Sequence, residues 1–422
     1  MRLSQLFTKT TKTVPGDETA KNAKLLIQAG YIHKEMAGVY AFLPLGKQVL
    51  DNIVQIVREE MNAIGGQEIS LTALQGSEVW EASGRWSDEV IDVWFRTTLA
   101  NGSTLGLAPT HEEPLTRLMK QYISSYKDLP AHPYQFQIKF RNELRSKSGL
   151  MRGREFLMKD LYSFSLDQST HDIFYEQAAV AYERVFRRLG IGDVTYKTFA
   201  SGGSFSKYSH EFQTVSDVGE DTIYVHEGKR LAINQEVYND EVLAELGVTK
   251  DELVEKTAVE VGNIFTLGTK YSEALGLQYT AEDGSVHPVF MGSYGIGPSR
   301  LMGLLAEHFA DDKGLVWPEA VAPAKLYLAR LGEGDTVVAQ ADELYEHLTS
   351  RGVGVLYDDR DVRPGEKFAD ADLLGIPYRV VISDKTVAAS SYEFKPRSST
   401  EVEQVDLTQL LKKLGISDSA LV

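Results

Sequence analysis

Cysteine is absent from this chain of 422 residues. Its absence excludes disulfide bonds, thiolate nucleophiles and cysteine-ligated zinc, and it is typical of cytoplasmic proteins. Long hydrophobic runs are also missing, since no apolar stretch approaches the roughly 18 to 20 residues of a membrane helix. The N-terminus, MRLSQLFTKTTKTVPGDETAK, lacks the apolar core of a secretory signal. We therefore expect a cytoplasmic location and no membrane partner.

Positive charge is comparatively scarce, with 44 lysines and arginines against 60 acidic residues and a net charge of −16. Such a balance opposes indiscriminate binding to nucleic acid through long-range repulsion. It is compatible with a local cationic site, because screening limits the reach of a charge to about 8–10 Å at physiological salt.

The pattern of strands and helices changes near residue 320. The length alone predicts two or three domains. After the proline-spaced linker VWPEAVAP (316–323), the sequence predicts alternating strands and helices, which is typical of a small α/β domain with a largely parallel sheet. We therefore predict one domain over 1–318, with a short insertion at about 220–257, and a second over 323–422.

Cations are concentrated in the segment FRNELRSKSGLMRGREFLMKD (140–160), which carries six of them against three anions. If 134–143 and 154–165 are paired strands, Arg141 and Glu143 point to one face of the sheet. The loop between the strands carries three further cations: Arg145, Lys147 and Arg152. Guanidinium groups suit phosphate oxygens and a carboxylate can accept from an exocyclic amine, which indicates a nucleotide ligand. A salt-bridged surface hairpin is the alternative.

A glycine-rich junction, FMGSYGIGPSRLMGLLAEHF (290–309), joins an apolar strand to an amphipathic helix. Such a junction can bring backbone N–H groups to an anion. Arg300 in the first turn opposes the helix dipole, so an anion shared by Arg300 and the helix end would compensate it. The alternative is a tight turn with a packing glycine.

The segment LAPTHEEPL (107–115) supports two interpretations. In the first, Thr110 is the N-cap of a helix and Glu113 closes a capping box. In the second, Thr110 and Glu112 turn inward and hold a cationic group, such as the ammonium of an amino acid. His111 between them is predicted to be incidental.

Together these segments resemble the motifs of the class II aminoacyl-tRNA synthetases. The second motif of that class, F-R-x-E and then R-x-x-x-F, reads FRNE (140–143) and RGREF (152–156). The third, G-x-G-x-x-R, reads GIGPSR (295–300), and the first would be LPLGKQVLDNIVQIVREEM (43–61). The segments PTHEE, GLMRGREFLMKDLYSF, VEVGNIFTLGTKYSEAL and LYDDRDVRPGEKFADADLLGIP resemble the prolyl members in particular, and the resemblance spans essentially the whole chain.

The resemblance implies an α+β catalytic domain with a mostly antiparallel sheet, followed by a C-terminal α/β anticodon-binding domain. It implies ATP-dependent activation of L-proline and transfer to tRNA(Pro) through a prolyl-adenylate, with Mg²⁺ as cofactor. The alternatives are a paralogue that has lost aminoacylation and an adenylate-forming enzyme with a different acceptor.

The resemblance also implies partners. The chain looks like a short form without the large inserted editing domain, so a separate alanyl-tRNA deacylase is expected. A homodimer is expected because the helix at 46–64 has more apolar positions than a surface helix needs. Burial of that helix within one subunit is the alternative.

Catalytic and ATP-binding roles follow from the matched motifs. Arg141 would bridge the ATP α-phosphate and the proline carboxylate, and Glu143 would accept the adenine amino group. Arg152 would meet the γ-phosphate. Phe156 would cover one face of adenine, and Arg300 would lie on the other face near the γ-phosphate.

The remaining roles are implied in the same way. The residues expected to bind proline are Thr110, Glu112, Arg141, Phe164 and His210. Of these, Thr110 and Glu112 would hold the imino nitrogen, and Glu211 would help to ligate Mg²⁺. The residues expected to contact tRNA are Arg145 and Lys147 at the acceptor end, and Arg360, Lys367 and Phe368 in the C-terminal domain.

Overall fold

The computed structural model describes residues 1–144, 148–202 and 208–416. Two predicted tRNA contacts, Arg145 and Lys147, lie outside these ranges. The α-helices are α1 (Lys21–Gln28), α2 (Pro44–Ala63), α3 (Ser77–Ala82), α4 (Glu112–Met119), α5 (Gln168–Arg188), α6 (Asp240–Leu246), α7 (Lys270–Leu275), α8 (Pro298–His308), α9 (Asp335–Thr349), α10 (Pro364–Leu374), α11 (Asp384–Ala388) and α12 (Leu407–Lys413).

The β-strands of the larger, N-terminal part are β1 (Ile32–Met36), β2 (Val39–Phe42), β3 (Gln67–Glu68), β4 (Leu74–Gly76), β5 (Phe95–Thr98), β6 (Thr104–Leu107), β7 (Pro133–Phe140), β8 (Glu155–Ser165), β9 (Thr195–Ser201), β10 (Tyr208–Val215), β11 (Asp221–His226), β12 (Leu231–Asn234), β13 (Val254–Gly268), β14 (Gln278–Thr280), β15 (Val286–Pro288) and β16 (Phe290–Ile296). Those of the C-terminal part are β17 (Leu326–Leu331), β18 (Val355–Asp358), β19 (Tyr378–Ser383), β20 (Tyr392–Pro396) and β21 (Glu403–Val405).

The larger part is built on a nine-stranded sheet with the order β10-β9-β12-β11-β13-β16-β8-β7-β3. Its neighbours run antiparallel, except that β12 is parallel to β9 and β3 is parallel to β7. The mostly antiparallel sheet implied by the resemblance is confirmed.

Alternation of side chains gives this sheet two chemically different faces. Along β8, Met158, Asp160 and Tyr162 point to a face that carries the cavities described below. Lys159 points to the opposite face, where its ammonium donates to the hydroxyl of Tyr182 on α5. That opposite face is covered by α5 and α8, and α2 packs against both helices.

The chain itself buries the apolar face of α2. Val49, Ile53, Val57 and Met61 are each 0% exposed and belong to the core that α5 and α8 share. Burial within one subunit was the alternative to a dimer interface for this helix. The apolar residues of α2 therefore no longer argue for a homodimer. That prediction now rests on the resemblance.

The segment 220–257 is part of the main sheet. It contributes β11 and β12, with β11 lying between β12 and β13, and the short helix α6 follows. The segment therefore extends the main sheet instead of forming a separate unit.

The C-terminal part has a five-stranded sheet with the order β18-β17-β19-β20-β21. Strand β17 is parallel to both β18 and β19, whereas β20 and β21 are antiparallel additions. The expected α/β domain is thus confirmed.

Contacts join the C-terminal part to the larger part. The Tyr31 hydroxyl donates to the Leu374 carbonyl over 2.7 Å, and the N-terminal amine donates to the Val355 carbonyl over 2.8 Å. The precise domain limits, 1–318 and 323–422, stay a prediction. No helix in the described ranges is long and apolar enough to cross a membrane.

Candidate active site

Two adjoining cavities open on the face of the sheet away from α5. One has a volume of about 250 Å³ and is lined by Arg141, Glu143, Arg152, Glu260 and Arg300, among others. The other has a volume of about 220 Å³ and is lined by Thr110, Glu112, Tyr162, Asn263, Phe265 and Ser293, among others. Arg141 lines both cavities, so a ligand in either one would meet the same guanidinium.

Arg141 follows the last residue of β7, and its guanidinium contacts a backbone carbonyl and an aromatic ring. Its Nε donates to the Pro109 carbonyl over 3.3 Å, and its Cζ lies 5.4 Å from the ring centroid of Phe156. Burial, and then the nearby charge of Arg300, lower the pKa of Arg141. The guanidinium groups of Arg141 and Arg300 suit an anion, and the carboxylates that also line the cavity, Glu143, Glu220, Asp221 and Glu260, suit a bound cation beside it.

Arg300 lies in the first turn of α8, where its charge opposes the helix dipole. Its Nε donates to the Met151 carbonyl over 2.9 Å, and its Nη1 donates to the Glu260 carbonyl and carboxylate over 2.7 and 3.1 Å. These acceptors compensate the dipole within the protein. The side chain is still 31% exposed toward the cavity mouth, where an anion can reach it.

Glu143 and Arg152 form an ion pair across the cavity mouth. Arg152 donates to Glu143 from Nε over 3.0 Å and from Nη2 over 2.8 Å, and its Nη1 donates to Glu220 over 3.0 Å. The salt-bridged hairpin considered as the alternative is therefore present. When the pair opens, Arg152 stays in contact with solvent because its side chain is 44% exposed, whereas Glu143, at 17%, needs a new partner.

All five predicted ATP-binding residues line a third cavity, of about 50 Å³, which shares Arg141, Glu143, Arg152 and Arg300 with the first. Arg141, Glu143, Arg152, Phe156 and Arg300 line it together, with backbone from the glycine-rich junction of β16 and α8. The structure thus brings together the two motifs that carried the resemblance, although their sequence positions are more than a hundred residues apart.

Thr110 and Glu112 turn inward and line the second cavity. The Thr110 hydroxyl lies 2.8 and 2.7 Å from the two carboxylate oxygens of Glu112, and Ser293 Oγ lies 3.5 Å from that carboxylate. The capping-box interpretation is wrong. Helix α4 begins at Glu112 after His111, which makes no side-chain cap, and the Glu113 carboxylate is bound elsewhere.

Arg85 is a residue that the sequence did not reveal. Its Nη1 lies 2.9 and 3.1 Å from the two oxygens of Glu113 and 3.3 Å from Glu112, and it donates to the hydroxyl of Tyr271 over 2.8 Å. Burial alone would lower the pKa of Arg85, but the two carboxylates raise it. Arg85 thus contacts both carboxylates at the start of α4, although burial raises the pKa of Glu113 to about 7.

Phe164 does not reach the second cavity. It lies on the same face of β8 as Tyr162, but it is 0% exposed and packs in a closed core with Leu115, Met291 and others. Its predicted role as a wall of the proline pocket is wrong. Tyr162 and Phe265 line the cavity instead, and side-chain alternation along β8 and β13 could have identified them.

His210 points away from the cavities. It pairs with Ile264 across β10 and β13, whereas Glu211 pairs with Asn263, which lines the cavity. Side chains of paired residues share a face, so His210 belongs to the face covered by α5. There its Nδ1 lies 2.9 Å from the hydroxyl of Tyr175. The predicted proline contact is wrong.

Glu211 lies on the cavity face in an acidic environment. Its carboxylate accepts from Gln213 over 3.0 Å and from Asn234 over 3.2 Å. Burial, and then the charge of Glu260, raise the pKa of Glu211 to about 7. A carboxylate whose ionisation is opposed by a neighbouring negative charge fits a site for a divalent cation. The described ranges contain no cluster of three or more ligating side chains, so phosphate oxygens would have to complete the coordination.

Two of the predicted tRNA contacts in the C-terminal part, Lys367 and Arg360, make polar contacts within the fold. Lys367 is 2% exposed, and its ammonium donates to the carbonyls of Arg330 and Asp358 over 2.6 and 3.2 Å. The prediction for Lys367 is therefore wrong. The guanidinium of Arg360 is bound to Asp358 and Asp370, each over 2.8 Å, so a tRNA phosphate would have to compete with two carboxylates. The tRNA contact of Arg360 stays a prediction.

Phe368 stays a predicted tRNA contact. It is partly buried against the core, and the Cζ of Arg379 lies 4.3 Å from its ring centroid. An aromatic ring beside a guanidinium is suited to stacking on an unpaired base.

Comparisons with known proteins agree with this geometry. A family model described as the tRNA synthetase class II core domain (G, H, P, S and T) matches residues 95–309, and one described as an anticodon binding domain matches 325–415. Fold and site together define a class II aminoacyl-tRNA synthetase.

Relatives narrow the assignment further. The proline–tRNA ligase from Agrobacterium fabrum is 37% identical to this chain, over 98% of this chain and 99% of its own length. The one from Rhodopseudomonas palustris strain HaA2 is 38% identical, over 98% of this chain and 100% of its own length. The chain belongs to the proline–tRNA ligase family. A crystal structure of prolyl-tRNA synthetase from Cryptosporidium parvum, complexed with L-proline and AMP, shares the fold with a TM-score of 0.75 at 17% identity, covering 93% of this chain and 74% of that one.

Proposed function

We propose that this chain activates L-proline with ATP and transfers it to tRNA(Pro) through a prolyl-adenylate. The observation that carries the proposal is the position of Arg141, whose guanidinium lines both the anion-binding cavity and the cavity with Thr110 and Glu112. A reaction that joins a carboxylate to a phosphate needs one cation at the junction of the two substrates.

In the first step, a carboxylate oxygen of proline attacks the α-phosphorus of ATP, and pyrophosphate leaves. Arg141 stabilises the negative charge that develops between the two groups. Glu143 accepts from the adenine amino group once Arg152 turns from it to the γ-phosphate. Phe156 and Arg300 enclose the adenine ring.

Glu211 and Glu260 would hold a Mg²⁺ ion, which supplies charge neutralisation for the phosphates when it is bound. On the amino-acid side, Thr110 and Glu112 bind the cationic imino group of proline. In the second step, a terminal ribose hydroxyl of tRNA attacks the activated carbonyl and AMP leaves. The adenylate is the covalent intermediate, so the protein need not supply a nucleophile.

The proposal extends to tRNA and to assembly. Arg145 and Lys147 would meet the acceptor end, while Phe368 and Arg360, whose side chain is 16% exposed, would face the anticodon loop. We place the enzyme in the cytoplasm as a homodimer, on the strength of the family alone.

Alanine should be activated as well, because the smaller side chain fits wherever proline fits and missing methylenes provide only about 1–3 kcal/mol of discrimination. Between Asp160 and Gly292 the described residues form strands of the main sheet, the helices that pack on it and a few short elements. A separate deacylase would therefore clear alanyl-tRNA. Rapid hydrolysis of alanyl-tRNA by the purified chain alone would contradict this part.

The test of the proposal is proline-dependent exchange of pyrophosphate into ATP, followed by charging of tRNA(Pro). We expect both activities. Exchange without charging would identify an adenylate-forming enzyme with another acceptor. Loss of both would indicate a paralogue that has kept the site without the reaction.

A further inference from the structure

His111 lies between Thr110 and Glu112, and its ring is completely buried. Ring atom Nδ1 is 2.8 Å from the ammonium of Lys139, and Nε2 is 3.1 Å from the carbonyl of Thr72. The backbone N–H of His111 donates to the hydroxyl of Tyr162 over 3.2 Å. Three separate segments of the chain therefore fix this one residue through both main chain and side chain.

The partners of the ring determine its protonation state. An ammonium can only donate, so Nδ1 must accept from Lys139. The proton then resides on Nε2, which donates to the Thr72 carbonyl. Burial, and then the charge of Lys139, lower the pKa of His111 to about 4, so the ring stays neutral in this tautomer at assay pH.

Lys139 extends the contacts to a buried carboxylate. Its ammonium donates to Asp160 Oδ1 over 2.8 Å, and Asp160 Oδ2 accepts from Tyr162 and from Gln135, each over 3.0 Å. Because Tyr162 also accepts from the backbone of His111, the contacts form a closed ring. We call His111, Lys139, Asp160 and Tyr162 the His111 network.

The His111 network lies directly behind the second cavity, which is lined by Thr110 and Glu112 and which we call the amino-acid cavity. Asp160 and Tyr162 line that cavity on one side, and Thr110 and Glu112 line it on another. The residues between the end of β6 and the start of α4 form no helix or strand, so repeating hydrogen bonds do not hold them in place. Gln75 donates to the Thr110 carbonyl over 3.1 Å and Arg85 contacts Glu112 over 3.3 Å, and the anchoring of His111 fixes the backbone between these two residues.

We propose that His111 and Lys139 are positioning residues for amino-acid recognition, holding Thr110 and Glu112 at the distance that the cationic nitrogen of the substrate requires. The proposal rests on the proposed function and deepens it. Productive binding depends on placement within about 0.5 Å, so a loosened anchor should cost affinity for the amino acid and leave the nucleotide cavity unaffected.

The test compares His111→Asn with His111→Leu in proline-dependent pyrophosphate exchange. The two side chains share the same branched shape and number of heavy atoms, but only asparagine offers Lys139 an acceptor near the Nδ1 position. We expect the proline KM to rise at least tenfold in the leucine variant and about threefold in the asparagine variant. The KM for ATP should stay within twofold of wild type in both.

His171 provides the matched control. It is also 0% exposed, and its Nε2 lies 3.0 Å from the hydroxyl of Thr266, but it occupies the opposite face of the sheet at the start of α5. His171→Asn and His171→Leu should lower the thermal unfolding midpoint and leave the proline KM unchanged. If the role of His111 is purely structural, the His111 variants should behave like the His171 variants: the unfolding midpoint falls and the proline KM stays unchanged.

The outcomes separate the two proposals. Wild-type protein without exchange activity would overturn the proposed function. An active wild type with an unchanged proline KM in the His111 variants, or with equal changes in both KM values, would overturn the positioning role. If His111→Leu does not fold, the threefold change expected for His111→Asn decides the question.

Discussion

The Glu112 side chain is 7% exposed and that of Arg152 is 44% exposed, although both line the candidate site. Around Glu112, the polar groups of the amino-acid cavity are held by buried partners such as Arg85 and the His111 network. Around Arg152, the charged groups pair with one another at the surface. We call the part of the site around Thr110 and Glu112 the amino-acid half, and the part around Glu143, Arg152 and Arg300 the nucleotide half. The amino-acid half is held in place before a ligand arrives, whereas the nucleotide half must exchange internal ion pairs for phosphate contacts.

This difference suits the two substrates. A small amino acid offers few contacts, so its selection depends on groups placed in advance. A nucleotide triphosphate carries several charges and can displace half-exposed ion pairs, since such pairs contribute only about 0–1 kcal/mol each. Arg141 belongs to both halves, and its substitution should have the largest effect.

Arg141→Ala should lower the exchange rate by on the order of 10²- to 10³-fold, because a donor aimed at the developing charge is lost. The unfolding midpoint should change little, since the lost guanidinium faces that of Arg300 and its pKa is lowered in the fold. Arg117→Ala, at an exposed position of α4, is the control. A near-normal exchange rate in a folded Arg141→Ala protein would contradict the role of Arg141 in stabilising the charge that develops between the two substrates.

Glu112→Gln should act on the amino-acid half alone. The substitution keeps the volume and an acceptor for Thr110 but removes the charge that faces the imino group. A hydrogen bond to a charged group contributes about 1.5–3 kcal/mol, so the proline KM should rise by roughly 10- to 100-fold. Glu81→Gln on the exposed side of α3 is the control. A comparable rise in the KM for ATP would contradict the separation of the halves.

Arg152→Gln should have a smaller effect, confined to the nucleotide half. We expect the KM for ATP to rise by about three- to tenfold at low salt, and the difference from wild type to shrink as ionic strength increases. The exposed Arg187→Gln substitution on α5 controls for loss of net charge. An effect on the proline KM, or one insensitive to salt, would count against this assignment.

The smallest expected effect is on stability and comes from Glu211. Its pKa is raised to about 7 in the fold, above the ordinary value of 4.5, so the native state binds a proton more tightly than the unfolded chain does. Stability should therefore be highest below pH 4.5 for this group and fall as pH rises toward 7. In Glu211→Gln the decline in unfolding free energy from pH 5 to pH 8 should be less by on the order of 1 kcal/mol. Identical pH profiles would show that Glu211 titrates normally.

The sequence predicted the nucleotide half better than the amino-acid half, for a physical reason. Arg141, Glu143 and Arg300 lie in short motifs whose spacing is fixed by one hairpin and one strand-to-helix junction, and local patterns report such geometry. The partners of Glu112 come from distant segments. Arg85 and Ser293 could be assigned to it only once the fold was known.

The errors have the same origin. Phe164 and His210 have the right residue types in the right strands, but the depth of a residue along a strand and the face it occupies depend on pairing. Lys367 was assigned from its charge, and only the packing of α10 shows that two backbone carbonyls enclose it.

The most direct test of two separately built halves is the double variant Glu112→Gln/Arg152→Gln, with both KM values measured in the exchange assay. Independent sites contribute additively to the free energy. The proline KM of the double variant should therefore match that of Glu112→Gln, and its KM for ATP should match that of Arg152→Gln. A KM for ATP that depends on whether Glu112 is present would contradict the account, because the halves would then be coupled before Arg141 joins their substrates.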